Sequence, residues 1–243
     1  MKQGLYEIVS NENLTENVFK MVLKGDTDGI KAGQFVNIKL DGFYLRRPIS
    51  VCDVSEENLT IIYKVVGTGT EVMSKLTSGT LDLLTGLGNG YDLTLSGENP
   101  LLIGGGAGVP PMYMTAKLLI SQGKKVTVIL GFNKKSEIFY EQEFKDLGAT
   151  VLVTTVDGSY GIKGFVTDAM KQVDYSHVYT CGPEPMLKAV YNASTTSGQF
   201  SFEERMGCGF GACMGCSCKT IYGNKSICKD GPVLKKEEIL WQK

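Results

Sequence analysis

Four cysteines near the end of the chain, Cys208, Cys213, Cys216 and Cys228, are separated by four, two and eleven residues in the run MGCGFGACMGCSC and the later SICKDG. The first three reproduce the spacing of plant-type 2Fe-2S ligands, in which one loop brings thiolates to two irons. Gly207, Gly209 and Gly211 alternate with the first ligands. Residues without a side chain let such a loop take positive φ and aim backbone N–H groups at sulfur. The pattern predicts a one-electron carrier. Structural zinc is the strongest rival, but it ordinarily shows two C-x2-C knuckles or a histidine, and here one C-x2-C stands without a histidine beside it. A disulfide framework fits worse, because the seven cysteines are odd in number and concentrated in one tail. Cys218 lies in the same loop and could replace Cys216; the four-two spacing favours Cys216.

Three further stretches could hold phosphates or a nucleotide. In LRRPIS, residues 45–50, Arg47 and Ser50 lie three apart. On an extended segment a planar guanidinium and a hydroxyl at that spacing can address one phosphate. Taken alone, the segment reads more readily as a charged edge capped by a proline. In LLIGGGAGVPP an apolar strand runs into glycines, with Gly104, Gly106 and Val109 at the places of a G-x-G-x-x-G fingerprint whose third glycine is missing. The acidic residue of that fingerprint is also missing, since VTVIL runs into Gly131, Phe132 and Asn133. Backbone amides at the start of the following helix can still hold a pyrophosphate. The turn Cys181-Gly182-Pro183-Glu184-Pro185-Met186 follows the apolar strand HVYT, at the end of a parallel strand where open sheets bind ligands. His177 is the only histidine and reads as structural. Without a second histidine or a nucleophile elbow, hydrolytic chemistry has little support.

Positioning these groups takes more than one module. With 243 residues the chain has room for two ordinary domains and a short appendage. Its 25 basic and 26 acidic side chains are balanced, so neither nucleic acid nor an anionic membrane is an expected partner. The start, Met1-Lys2-Gln3-Gly4, lacks the apolar core of a signal peptide. The expected compartment is the reducing cytoplasm, where thiolates stay free to bind iron. Pro100 to Ala116 is uncharged and apolar, but four glycines and three prolines interrupt it, against the roughly 20 unbroken apolar residues of a span.

Short strands separated by turns (YEIVS, VFKMVLKG, QFVNIKL, PISVCDV, LTIIYKVV) predict an antiparallel β-barrel over residues 1–97, with one helix opening near Gly69 and Thr70. Alternating strands and helices over 98–200 predict a doubly wound parallel α/β nucleotide-binding domain, with Pro110 or Pro111 opening its first helix. Residues 201–243 remain for a small C-terminal 2Fe-2S domain. The fold class is therefore multidomain, β followed by α/β.

The order RRPIS, GGGAGVPP, CGPEPM and a cysteine-rich tail resembles the ferredoxin reductase superfamily. Within it, ERMGCGFGACMGC and CKDGPV resemble the electron transfer subunits of class 1B dihydroorotate dehydrogenases. The resemblance covers essentially the whole chain. It implies FAD in the barrel, gripped by Arg47, Pro48, Ile49 and Ser50, with Ile62, Tyr63 and Lys64 on the next strand and Gly69 and Thr70 at the helix start. It implies NAD against Gly104, Gly105, Gly106, Gly108, Val109 and Pro110 and against Cys181, Gly182, Pro183 and Met186. It also implies a partner: an FMN-containing catalytic subunit that oxidises dihydroorotate in pyrimidine biosynthesis, assembled two plus two. Electrons would then pass through the cluster and FAD to NAD. No residue of this chain is expected to act as a catalytic acid or base. Two rival readings are a related NAD(P)H-ferredoxin or sulfur reductase subunit and a non-catalytic zinc-binding interaction module. Asn133, Lys134, Lys135 and Ser136 leave the choice between NAD and NADP open.

Overall fold

The computed structural model describes residues 1–241 of the chain. Six strands close the N-terminal barrel: β1 (Lys2–Thr15), β2 (Val18–Lys24), β3 (Phe35–Ile38), β4 (Arg47–Ser55), β5 (Asn58–Lys64) and β6 (Thr80–Leu87). They run in the order β1-β2-β5-β4-β3-β6. Alternation sorts their side chains, so that Leu59, Ile61 and Tyr63 of β5 fill the barrel with Met21, Val36, Ile38 and Leu83. Closure falls to β6, which pairs antiparallel with both β1 and β3 and leaves the barrel no free edge. One helix, α1 (Thr68–Ser74), interrupts the ring. Its start is tied by Thr70, whose Oγ1 accepts from the N–H of Val66 at 3.0 Å and of Gly67 at 3.2 Å.

The second unit is a sheet with helices on both faces. Its parallel strands are β7 (Pro100–Gly105), β8 (Thr127–Phe132), β9 (Thr150–Thr155), β10 (Ile162–Lys163), β11 (His177–Cys181) and β12 (Gly198–Ser201). Helices α2 (Pro110–Ser121), α3 (Glu141–Asp146), α4 (Val166–Met170) and α5 (Glu184–Ala193) connect them. On one face Leu102, Val128 and Leu130 meet Met112, Ala116 and Leu119 of α2 and Phe144 of α3. On the other, Leu101, Ile103 and Ile129 meet Ala169 of α4 and Leu187 and Val190 of α5. Strands covered on both faces read as unbroken apolar runs, which is why VTVIL and LLI carry no polar alternation. Pro100–Ala116 thus forms β7 and the start of α2, and among the described residues no helix is long and apolar enough to cross a membrane.

The tail contributes a hairpin, β13 (Ser217–Thr220) and β14 (Gly223–Ser226), and then β15 (Val233–Lys235). β15 adds antiparallel to β12 and ends the seven-stranded order β10-β9-β8-β7-β11-β12-β15. Cys216, Ile227, Cys228, Leu234 and Ile239 share one core with α4 and α5. Trp241 closes it, its ring 5.3 Å from those of Tyr191 and Phe202. The cysteine segment is thereby stitched into the sheet. Asn89 extends the stitching to the loop after the barrel: its Nδ2 donates to the Val233 carbonyl at 2.7 Å and its Oδ1 accepts from the Val233 N–H at 3.1 Å.

Candidate functional site

The cysteine loop lies against β3 of the barrel, where Asn37 Nδ2 reaches the Cys208 carbonyl at 3.2 Å. Inside it, Ala212 N–H and Cys213 N–H donate to Cys208 Sγ at 3.2 and 3.4 Å, and Gly215 N–H donates to Cys213 Sγ at 3.5 Å. Deeper in the core, Cys228 N–H donates to Cys216 Sγ at 3.4 Å. Positive φ at Gly209 (79°) and Gly211 (91°) turns the backbone so that these amides face inward. Burial alone would raise the Cys208 thiol, but backbone N–H groups of Phe210 and Cys213, the Cys213 thiol and the Ala212 N–H pull it down to about 6. Cys208 and Cys213 interact side chain to side chain, as do Cys216 and Cys228, and Cys228 also feels Cys208. The thiols fall into two adjacent pairs. Among the described residues no three His, Cys, Asp or Glu side chains are grouped so as to hold one metal ion. Two thiol pairs with amides aimed at sulfur suit a group with two metal centres, each taking two ligands. Cys218 stands apart on β13, its sulfur directed to the Lys219 carbonyl at 3.6 Å.

Arg47 opens β4 and lies across the start of α1. Its Cζ is 4.7 Å from the centre of the Phe43 ring, and a Cβ on Gly69 would fall 2.1 Å from its Nε. The guanidinium thus occupies the space that a side chain at Gly69 would take. Pro48, Ile49 and Ser50 follow, paired to Asn37, Val36 and Phe35 of β3, and all are half-buried. The structure thus gathers Arg47, Gly69 and Thr70. It sends the next strand's side chains elsewhere. Tyr63 points into the barrel, stacks on Phe19 at 5.9 Å and donates to Asn11 Oδ1 at 3.0 Å. Ile62 enters the core of the nucleotide domain, and Lys64 is exposed.

Strand order reverses between β7 and β11, the switch point at which open sheets leave a crevice. Both glycine-bearing turns leave the sheet there, Gly104 and Cys181 being register partners. A Cβ on Gly108 would lie 2.2 Å from the Cys181 carbonyl oxygen, and one on Gly105 would lie 2.4 Å from Met186 Sδ. The turns are therefore packed backbone to backbone. Val109 caps α2 with φ −64° and a fully buried side chain, so the fingerprint's third glycine is not required there. Close approach is served one residue earlier, by Gly108. Gly106, at φ 51°, faces open space, and Pro110 opens α2, where a missing N–H costs nothing. Enclosure pushes the Cys181 thiol up to about 12 against the lowering effect of Ser201, so it stays protonated.

Two residues at these sites escaped the sequence reading. Glu137 folds back to the end of β8, where its Oε2 accepts from Asn133 Nδ2 at 2.9 Å and from the Asn133 N–H at 3.3 Å. A carboxylate therefore stands at a strand end whose own residues have none. Asn37, a polar residue in the apolar run FVNI, is 1% exposed, and its Nδ2 donates to the Cys208 carbonyl at 3.2 Å. Its only signal in the sequence is its polarity.

Comparison with known proteins agrees with this layout. Residues 203–240 match the family model described as the iron-sulfur cluster binding domain of dihydroorotate dehydrogenase B, and residues 102–192 match the oxidoreductase NAD-binding domain. The dihydroorotate dehydrogenase B (NAD(+)) electron transfer subunit of Bacillus pumilus is 44% identical, with 98% of each chain covered. That of Fusobacterium nucleatum is 45% identical over 96% of each. Among solved structures, an NADH-dependent reduced ferredoxin-NADP oxidoreductase superposes with a TM-score of 0.89 at 32% identity, covering 98% of this chain and 90% of that one. A ferredoxin NADP+ reductase from Neisseria gonorrhoeae, at 16% identity and a TM-score of 0.68 over 79% of this chain and 90% of that one, shares the fold. Full-length identity of this order places the chain in the family of dihydroorotate dehydrogenase B (NAD(+)) electron transfer subunits.

Proposed function

We propose that this chain carries electrons from the FMN of a dihydroorotate-oxidising partner subunit to NAD+, by way of a 2Fe-2S cluster and FAD, in a cytoplasmic assembly of two catalytic and two electron transfer subunits. Cys208, Cys213, Cys216 and Cys228 hold the cluster. The observation that carries this reading is the set of backbone amides directed at the Cys208, Cys213 and Cys216 sulfurs. Those amides favour negative charge on the sulfurs and so tune the potential. FAD, when bound, exchanges hydride with a nicotinamide and single electrons with an iron-sulfur cluster.

In the same reading Arg47 meets the FAD pyrophosphate with a fixed positive fork, and Pro48, Ile49 and Ser50 line the flavin edge. Gly69 and Thr70 contribute backbone, while Ile62, Tyr63 and Lys64 contribute through the backbone of β5 and the Lys64 side chain. Gly104, Gly105, Gly106, Gly108, Val109 and Pro110, with Cys181, Gly182, Pro183 and Met186, form the NAD crevice. Glu137 supports NAD over NADP, because a carboxylate suits a ribose hydroxyl and repels a 2'-phosphate. Partner and nucleotide are tested together by co-purifying the chain with its catalytic subunit and following dihydroorotate-dependent reduction of NAD+ and NADP+. The expected complex reduces NAD+ at least roughly tenfold faster, the discrimination one unfavourable charge contact of about 1.4 kcal/mol provides. Transfer only to NADP+ or ferredoxin would replace this reading with that of a ferredoxin reductase subunit.

A further inference from the structure

β3 is buried along its whole length. Val36 and Ile38 point into the barrel, whereas Phe35 points outward into the core that holds Cys216 and Cys228. By alternation Asn37 shares the outward face with Phe35. There its Nδ2 donates to the carbonyl of Cys208 at 3.2 Å. The fit around that bond is close, since a Cβ on Gly209 would lie 2.3 Å from Asn37 Nδ2. Behind it, the Asn37 backbone carbonyl accepts from Arg46 Nη1 at 3.3 Å, and the same nitrogen is held by Asp82 Oδ1 at 2.9 Å. Across the ladder Asn37 is the register partner of Pro48, between Arg47 and Ile49. One side chain therefore joins the strand pair assigned to the flavin with the loop assigned to the cluster.

Asn37 Oδ1 is buried without a hydrogen-bond partner. An unpaired amide oxygen in a core is unfavourable, and a leucine of similar size would fill the space without that penalty. Turning the amide over would set Oδ1 against the Cys208 carbonyl, two acceptors face to face. The asparagine thus leaves Oδ1 without a protein partner while its N–H meets a residue assigned to the cluster.

We propose that Asn37 is the positioning residue of internal electron transfer: its amide N–H fixes Cys208, and with it the loop that carries Cys213, relative to Arg47–Ser50. This rests on the cofactor assignment above. The test compares full-length wild type with Asn37→Ala and Asn37→Leu, purified without oxygen. FAD, iron and sulfide contents, melting temperature, the electron paramagnetic resonance signal of the dithionite-reduced protein, and stopped-flow rates of flavin reduction by NADH and of later cluster reduction are measured.

Both variants are expected to keep FAD and to accept hydride at the wild-type rate. Cluster reduction should slow roughly tenfold with a shifted resonance signal, the scale of one lost hydrogen bond. Loss of iron with flavin retained supports the same role. Asn37→Leu separates positioning from packing: it should melt above Asn37→Ala and within a few degrees of wild type, and still transfer slowly. Wild-type transfer and signal in Asn37→Leu would overturn the proposal, as would an equal slowing of hydride transfer or failure of both variants to fold. Wild-type protein lacking flavin or cluster would instead overturn the cofactor assignment.

Discussion

Among the cysteines, environment separates residues that spacing alone leaves similar. Cys208 is drawn toward the thiolate by a ring of N–H donors. Cys218, ten residues on, is raised by burial and then by Glu204 and Glu184. Loop amides meet the Cys208 and Cys213 sulfurs, whereas the Cys218 sulfur is directed away to the Lys219 carbonyl, so the loop thiols and Cys218 should answer mutation oppositely. Cys213→Ser should abolish iron-sulfur absorption while leaving the flavin spectrum and FAD content intact, because the flavin strands do not use that thiol. Cys218→Ser should leave iron and sulfide per chain unchanged. Retention of a full cluster in Cys213→Ser, or its loss in Cys218→Ser, would move the ligand set. The four-two spacing singles out Cys216 over Cys218 from sequence alone. Asn37 was not legible, because a lone polar residue in a strand of apolar ones carries no spacing to read.

At the scale of elements, the two turns at the ends of β7 and β11 act as one. Gly104 and Cys181 are 77 positions apart in sequence and register partners in the sheet. Gly108→Ala would place a methyl 2.2 Å from the Cys181 carbonyl oxygen, so one turn must move. Overpacking of this kind costs about 1–3 kcal/mol. The variant should melt lower and bind NADH roughly tenfold more weakly by fluorescence titration, with flavin and cluster spectra unchanged. Unaltered NADH affinity would show that the contact does not shape the crevice. Helix α2 was readable from its prolines and β8 from its apolar run. The missing third glycine left the fingerprint incomplete in sequence, and only the packed turns reveal that Gly108 makes the close approach.

Across the whole molecule, the segment from 203 onward behaves as part of the sheet domain. It supplies β15, covers Phe200 and Leu187, and fastens to the loop after the barrel through Asn89 and Val233. Truncation after Phe202 strips that cover and frees the edge of β12, exposing an unpaired strand. The shortened chain should appear in the insoluble fraction or as high-mass aggregate on size exclusion, whereas Cys213→Ser should elute as wild type does. A soluble truncated chain melting within a few degrees of the full one would show that the tail is separable.

Sequence by itself determined the candidates and the fold: which cysteines are spaced for two irons, which arginine and glycines are offered to phosphates, and that a barrel precedes a doubly wound sheet. Those features are local, set by spacing, turn residues and strand or helix periodicity. Tertiary structure decided what adjoins what. It closed the barrel with β6, paired Gly108 with Cys181, folded Glu137 back to β8, wove β15 into the sheet and set Asn37 against Cys208. Each of these joins residues distant in sequence or orients a side chain by packing, and neither leaves a periodic trace along the chain.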